Sequence, residues 1–149
     1  MLLEISPMSL QDLEAVLEIE RSTFSFPWPK NSFYREIINN DYAYYFAARL
    51  KGENKVIGYG GIWVLFDEAH ITTLAVHSLH RQAGAGSILL SHLLEEALAR
   101  GARQVFLEVR DSNLAARTLY KKYDFEIIGR RKNYYYHEDA LLMVRKFTD

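Results

Sequence analysis

Apolar residues recur along this chain at two spacings, and each spacing predicts a different kind of element. Positions three and four apart, as at Leu13, Val16 and Leu17, are typical of a helix with one buried face. With Ser9 as a candidate N-cap for the first of them, this pattern predicts four helices. Their predicted bounds are Leu10 to about Glu20, about Lys30 to Ile38, near Gly86 to about Arg100, and Ser112 or Asn113 to about Tyr123.

Shorter runs rich in β-branched and aromatic residues, bounded by turn residues, predict about seven strands. The second, third and fourth are joined by short turns and predict an antiparallel meander. The helix after the fourth strand predicts a crossover that makes the fifth strand parallel to it. A loop is predicted over Arg130–His137. The predicted strands are Leu2–Ser6, Tyr42–Leu50, Val56–Phe66, Ala69–Val76, Gln104–Val109, Phe125–Gly129 and Ala140–Phe147.

Composition narrows the class of protein without naming its chemistry. A length of 149 residues with 49% hydrophobic and 25% charged residues is typical of one globular domain, here residues 1–149, and the predicted order of elements makes it an α/β domain. A net charge of -1 gives no general attraction to nucleic acid or to an anionic membrane. No apolar run approaches the roughly 20 residues that span a bilayer, and the short acidic start is not typical of a secretion signal. We therefore expect a cytoplasmic protein that binds neither nucleic acid nor membrane.

Metal and thiol chemistry find little support in the sequence. The absence of cysteine excludes disulfides, thiolate catalysis and cysteine-based zinc sites. The five histidines show no spacing typical of metal ligands, so no metal is predicted.

A glycine-rich stretch between the fourth strand and the third helix is the first candidate for chemistry. Gly84 and Gly86 allow a close approach of the backbone to a ligand, and the helix that follows begins with unpaired N–H groups. Such a loop is suited to a phosphate or pyrophosphate, although a plain turn between a strand and a helix is an equal alternative. No Gly-Lys-Ser/Thr follows, which excludes a nucleotide P-loop, and no third glycine completes a dinucleotide fingerprint.

The spacing Arg81-x-x-Gly84-x-Gly86 resembles the acyl-CoA pyrophosphate loop of the GCN5-related N-acetyltransferase (GNAT) superfamily. The resemblance runs from about residue 2 to residue 147. It is closest to the RimI family, which acetylates the N-terminal alanine of small-subunit ribosomal protein eighteen. The segments that carry it are Phe24–Trp28, Leu107–Asn113, Ala116–Tyr120, Arg130–Tyr135 and Glu138–Met143.

This resemblance implies a fold, a donor and an acceptor. The fold is a mixed, mostly antiparallel sheet of about seven strands with a central parallel pair that splays apart, covered by about four helices. The donor is acetyl-CoA and the acceptor is a protein N-terminus, with a ribosomal protein as the implied partner. Transfer to lysine side chains or small amines and a non-catalytic acyl-CoA-binding module remain alternatives. We expect a monomer or a weak homodimer.

Three sets of cofactor-binding residues are implied by the resemblance. One set offers backbone groups of a strand edge to the pantetheine arm, a second surrounds the pyrophosphate, and a single asparagine binds the cofactor near the next helix. In that order they are Leu74, Ala75 and Val76; Arg81, Gln82, Ala83, Gly84, Ala85, Gly86 and Ser87; and Asn113.

Glu108 and Tyr120 match the general base and the general acid of the family. An α-amine has a pKa of about 8 and must lose a proton before it attacks a thioester, and a carboxylate can take that proton. A phenol can protonate the departing thiolate. The alternatives are that Glu108 pairs with Arg110 or Arg103, and that Tyr120 is a core aromatic.

Two aromatic segments are candidates for binding the acceptor. Phe26 and Trp28 lie in a loop stiffened by two prolines, and Tyr134 and Tyr135 lie in the predicted loop before the last strand. Aromatic walls provide apolar contact area, and their OH and N–H groups can bind a peptide backbone. The alternative is that these side chains cover exposed ends of the sheet.

Overall fold

A computed structural model describes residues 2–81, 83–135 and 137–147. Its centre is one seven-stranded sheet with strand order β1-β2-β3-β4-β5-β7-β6. The strands are β1 Leu3–Pro7, β2 Ala43–Leu50, β3 Val56–Leu65, β4 Glu68–Val76, β5 Gln104–Arg110, β6 Glu126–Tyr135 and β7 Glu138–Lys146. The helices are α1 Leu13–Thr23, α2 Lys30–Ile38, α3 Ala85–Ala99 and α4 Leu114–Lys122.

The predicted fold class is confirmed in its topology. Strands β2, β3 and β4 form the antiparallel meander, and the crossover through α3 makes β5 parallel to β4. The parallel ladder is short, with pairs only from Glu68 opposite Gln104 to His70 opposite Phe106. Beyond these pairs the two strands part, while β5 stays paired with β7 on its other side as far as Arg110.

The predicted loop over Arg130–His137 is wrong. Strand β6 continues to Tyr135, which pairs with Glu138 of β7. The segment lies at the edge of the sheet and its residues are mostly exposed, so it lacks the apolar alternation by which a strand is recognised. Its register is interrupted after Arg131, where Asn133 adopts a φ of 56° and donates its backbone N–H to Asp139 Oδ1.

Helix starts differ slightly from those predicted. The first helix begins three residues later, because residues 10–12 form a 3-10 turn in which the Asp12 carboxylate accepts the backbone N–H of Ser9. Helix α3 begins at Ala85, and α4 begins at Leu114 with Asn113 as its cap. The predicted bounds of α2 are confirmed.

Helices cover the two faces of the sheet and create two apolar cores. The buried faces of α3 and α4 pack on one side, and those of α1 and α2 pack on the other. Gly61 is required for the second core, because a Cβ there would lie 2.3 Å from Cε2 of the buried Tyr45. Within the described residues, each helix is too short or too polar to cross a bilayer.

Candidate active site

A cavity of about 370 Å³ opens where β4 and β5 part. Its floor is formed by both strands, and its walls come from the segment after α1, the start of α4 and the hairpin of β6 and β7. Leu74, Glu108, Asn113, Tyr120 and Tyr135 all line this one cavity. The fold therefore brings together residues that are far apart in sequence. Each of them is predicted to act on an acyl thioester or on its acceptor.

The open edge of β4 carries unpaired backbone groups into the cavity. His77 donates its N–H to the carbonyl of Ile57 on β3 over 2.7 Å. Since hydrogen-bonded and non-hydrogen-bonded pairs alternate along an antiparallel ladder, Ala75 also faces β3, whereas Leu74 and Val76 face the open edge. Of the predicted three, Leu74 therefore presents both its N–H and its carbonyl at this open edge, and Val76 presents its N–H, since the Val76 carbonyl accepts a hydrogen bond from Arg81.

A bulge in β4 accompanies this open edge. The register with β3 shifts after Gly61, so that Thr72 is the extra residue. The hydroxyl of Thr72 lies 2.8 Å from that of Tyr45, which donates to Glu36 Oε1. The bulge is therefore tied to α2 by side-chain hydrogen bonds.

Glu108 lies in the middle of β5 with 13% of its side chain exposed. Its Oε2 is 2.8 Å from Nε2 of His70, across the gap between the strands. The hydrogen bond from His70 lowers the pKa of Glu108 below its ordinary range, and burial opposes this shift without cancelling it. Arg110, an alternative partner for Glu108 in the sequence analysis, instead pairs with Glu138 over 3.3 Å. The carboxylate is thus held ionised in the cavity.

Tyr120 faces the cavity from α4 and is also part of the core. It is 8% exposed and packs against the ring of Phe125, with the ring centroids 5.6 Å apart. Burial raises the pKa of Tyr120 above its ordinary value, with a smaller contribution from Tyr135. The phenol therefore stays protonated at neutral pH and can act as a proton donor.

The glycine loop leads into the first turn of α3. Gly84 has a φ of 91°, and the first helical hydrogen bond runs from the N–H of Ile88 to its carbonyl. The N–H groups of residues 85–87 therefore precede the helical ladder. A Cβ at Gly84 would meet nothing within 4 Å, and one at Gly86 would lie 3.6 Å from Leu119 Cδ2. This open, positively polarised helix start fits a pyrophosphate.

Neighbouring residues of the loop have more specific contacts. Arg81 donates through Nε to the carbonyl of Val76 and through Nη2 to Thr23 Oγ1, both over 2.9 Å, and so ties the loop to β4 and α1. The side chains of Ser91 and, more weakly, Ser87 lower the pKa of the neighbouring Tyr123 phenol. Ala83 is exposed. Gln82, also predicted to bind the pyrophosphate, lies outside the described residues.

Asn113 is the cap of α4 as well as a wall of the cavity. Its Oδ1 accepts the N–H of Ala116 over 3.1 Å, which fixes the side chain at the start of the helix. The amide nitrogen of the same side chain carries the hydrogens that could bind a cofactor.

The aromatic segments contribute unequally to the cavity. Tyr135 lines it, with the guanidinium of Arg110 4.4 Å from its ring centre, and Tyr134 packs edge-on against Tyr135 from a more exposed position. Phe26 is 66% exposed and does not line the cavity. Trp28 is partly buried against the second core, with its ring centre 5.3 Å from that of Phe33.

Several lining residues were not identified from the sequence. Phe24 and Ser25 line the cavity in place of Phe26 and Trp28, and only their place beside those residues could have indicated them. Glu138 lines it too, and its Oε2 accepts the N–H of Ser112 over 2.7 Å. His70 could have been found only from the register of β4 and β5. Among the described residues, no three acidic or histidine side chains gather in a metal-binding group.

This chain is similar to known acetyltransferases in both sequence and fold. The model of the acetyltransferase (GNAT) family matches residues 13–125. A candidate ribosomal protein bS18-alanine N-acetyltransferase of Bacillus subtilis is 43% identical over 138 residues, 91% of this chain and 90% of the relative. The ribosomal protein bS18-alanine N-acetyltransferase of Salmonella typhimurium is 35% identical over 93% of this chain and 94% of its own. The crystal structure of the Escherichia coli ribosomal-protein-S18-alanine N-acetyltransferase superposes with a TM-score of 0.89 at 31% identity, over 99% of this chain and 96% of that one.

Proposed function

This chain belongs to the acetyltransferase (GNAT) family, and from that membership we propose that it acetylates the N-terminal amine of a protein, using acetyl-CoA. The observation that carries the proposal is the single cavity between β4 and β5, lined by both Glu108 and Tyr120. A carboxylate held ionised and a phenol held protonated are the two groups that acyl transfer to an amine requires.

The residues around the cavity fit acetyl-CoA. The start of α3 provides N–H groups that precede the helical ladder for the pyrophosphate. The open edge of β4 provides the N–H and carbonyl of Leu74 and the N–H of Val76 for the pantetheine arm. Asn113 is positioned for a further contact at the start of α4. When bound, acetyl-CoA supplies the thioester carbonyl carbon that the amine attacks.

The chain's own residues would move the protons of a direct transfer. Glu108 would accept one proton from the N-terminal ammonium, so that the neutral nitrogen forms the new bond to the carbonyl carbon as the carbon–sulfur bond breaks. Tyr120 would donate its phenolic proton to the departing sulfur, and the second proton that the nitrogen loses as the amide forms would restore the phenol. An N–H of the β4 edge, at Leu74 or Val76, polarises the carbonyl oxygen as an oxyanion hole does.

For the acceptor we propose the N-terminal alanine of ribosomal protein bS18, the substrate named for the relatives of this chain. Support comes from Phe24, Ser25 and Tyr135, which line the same cavity as Glu108 and Tyr120. A cytoplasmic location agrees with this substrate. We also propose that residues 1–149 act as one domain, since one continuous sheet joins their strands.

The test is an acetyl-CoA assay on peptides that begin with Ala, Ser, Met or Thr, beside an N-terminally blocked peptide whose only amine is a lysine. We expect mass spectrometry to locate the acetyl group on the α-amine, with the bS18 N-terminus as the preferred peptide. The Glu108→Gln variant should bind acetyl-CoA normally and lose about 100-fold or more in kcat. Transfer to lysine alone would contradict the proposal, as would binding of acetyl-CoA without release of thiol for any amine.

A further inference from the structure

We propose that His70 is a positioning residue for this reaction: its imidazole holds Oε2 of Glu108 across the gap between β4 and β5 and leaves Oε1 for the amine. The inference rests on the proposed acetyl transfer, since it assigns a role toward the base of that reaction. It starts from the 2.8 Å contact between His70 Nε2 and Glu108 Oε2.

The register of the sheet explains why these two side chains meet. His70 pairs with Phe106 at the last parallel pair, and paired residues of neighbouring strands share a face. Glu108 follows Phe106 by two positions and therefore lies on that same face. Because the strands part at this point, the imidazole reaches diagonally over the widening gap to the carboxylate.

The imidazole is itself fixed from the opposite side. Trp63 pairs with His70 across β3 and β4, and the two ring centres are 6.3 Å apart. The indole Nε1 donates to Oε1 of Glu36 over 2.5 Å, which anchors the tryptophan to α2. His70 is 34% exposed. The imidazole thus contacts an anchored indole on one side and the Glu108 carboxylate on the other, as a positioning residue requires.

Hydrogen-bond chemistry fixes the direction of the contact. An ionised carboxylate only accepts, so Nε2 of His70 carries the proton that it donates. This bond is the largest cause of the lowered pKa of Glu108, and Arg131 on β6 acts in the same direction more weakly. Tyr135 on β6, Glu138 on β7 and Tyr120 on α4 also face the cavity. Burial acts in the opposite direction, so loss of the donor should move the pKa of Glu108 upward.

Two substitutions of His70 separate positioning from general structural support. Gln retains an N–H donor without an imidazole, whereas Thr suits a strand but cannot reach the carboxylate. For His70→Thr we expect kcat to fall by up to about 100-fold, with an unchanged Kd for acetyl-CoA and an unchanged melting temperature. The acid limb of the profile of kcat against pH should move to higher pH in His70→Thr. His70→Gln should recover most of kcat, and its acid limb should lie close to that of the wild type.

Controls make the failure of this inference distinct from the failure of the proposed function. His92→Gln changes a histidine that packs on Phe46 outside the cavity, and it should leave kcat unchanged. A wild-type protein that transfers no acetyl group to any peptide would overturn the proposed function itself. Only the role of His70 would be overturned if the wild type is active and Glu108→Gln is impaired, but His70→Thr keeps the kcat and the acid limb of the wild type. Equal losses in both His70 variants, matched by lower melting temperatures, would also overturn it.

Discussion

Glu20 is a buried carboxylate that ties one wall of the cavity to the core. It is 3% exposed, and it accepts hydrogen bonds from the hydroxyl of Tyr59 and, over 2.9 Å, from the backbone N–H of Trp28. Burial raises the pKa of Glu20, although both hydrogen bonds favour the ionised form. The segment between α1 and α2, which includes Phe24 and Ser25, is thereby tied to β3 through one side chain.

The raised pKa of Glu20 predicts how stability changes with pH. An acid whose pKa is higher in the folded state adds stability below its ordinary value of 4.5, and this stability is lost as the pH rises through the raised value. We therefore expect the wild type to gain stability relative to Glu20→Gln as the pH falls from neutral toward 4.5. Urea unfolding of both proteins over this range measures the difference. Parallel stability curves would show that Glu20 does not titrate there.

Tyr120 predicts an effect on turnover that is separate from binding. Tyr120→Phe removes the hydroxyl and keeps the ring against Phe125. We expect kcat to fall by about 100-fold, with the Kd for acetyl-CoA and the melting temperature preserved. Because burial raises the pKa of this phenol, the wild-type enzyme should show no loss of kcat in mildly alkaline buffer from its ionisation. A variant with wild-type kcat would leave Tyr120 as a core aromatic only.

At the scale of elements, local sequence signals explain most of the fold and fail at one edge. Helix α2 follows from its pattern and a preceding proline, and the meander follows from apolar runs separated by short turns. The continuation of β6 to Tyr135 does not follow from any local pattern, because an exposed edge strand rich in Arg and Lys needs no apolar alternation. Its pairing is fixed by contacts with β7, and no local pattern records those contacts.

The start of α3 predicts opposite effects on stability and on binding. Gly86→Ala adds a Cβ that meets Leu119 at an ordinary distance, and a helical alanine is up to about 1 kcal/mol more favourable than glycine. We expect a free protein of equal or higher stability that binds acetyl-CoA more weakly, because the methyl group occupies space beside the helix N–H groups. Calorimetry and thermal unfolding without ligand measure the two effects.

Gly84→Ala is the matched control. Its φ of 91° costs an alanine about 1–2 kcal/mol, so this variant should lose stability as well as affinity. If Gly86→Ala bound acetyl-CoA as tightly as the wild type, the start of α3 would not hold the pyrophosphate.

At the scale of the whole molecule, the site exists only where several elements meet. Glu108, Tyr120 and Leu74 come from β5, α4 and β4, and the cavity that joins them depends on the parting of two strands. Resemblance to a family indicated these residues in advance. His70, which contacts Glu108, and Glu20, which ties the segment after α1 to β3, gave no such signal, because their contacts depend on register and burial that form only in the folded sheet.

The open edge of β4 should be visible in the hydrogen-exchange rates of individual backbone amides. Ala75 and His77 face β3, so their N–H groups should exchange slowly with solvent in the free protein. Leu74 and Val76 face the gap, so their N–H groups should exchange quickly in the free protein. When acetyl-CoA binds, we expect the exchange of these two amides to slow strongly, while that of Ala75 and His77 stays slow. Amide exchange followed by NMR, with and without acetyl-CoA, measures this alternation. Equal protection of all four amides in the free protein would mean that β4 is paired on both sides and that the pantetheine arm binds elsewhere.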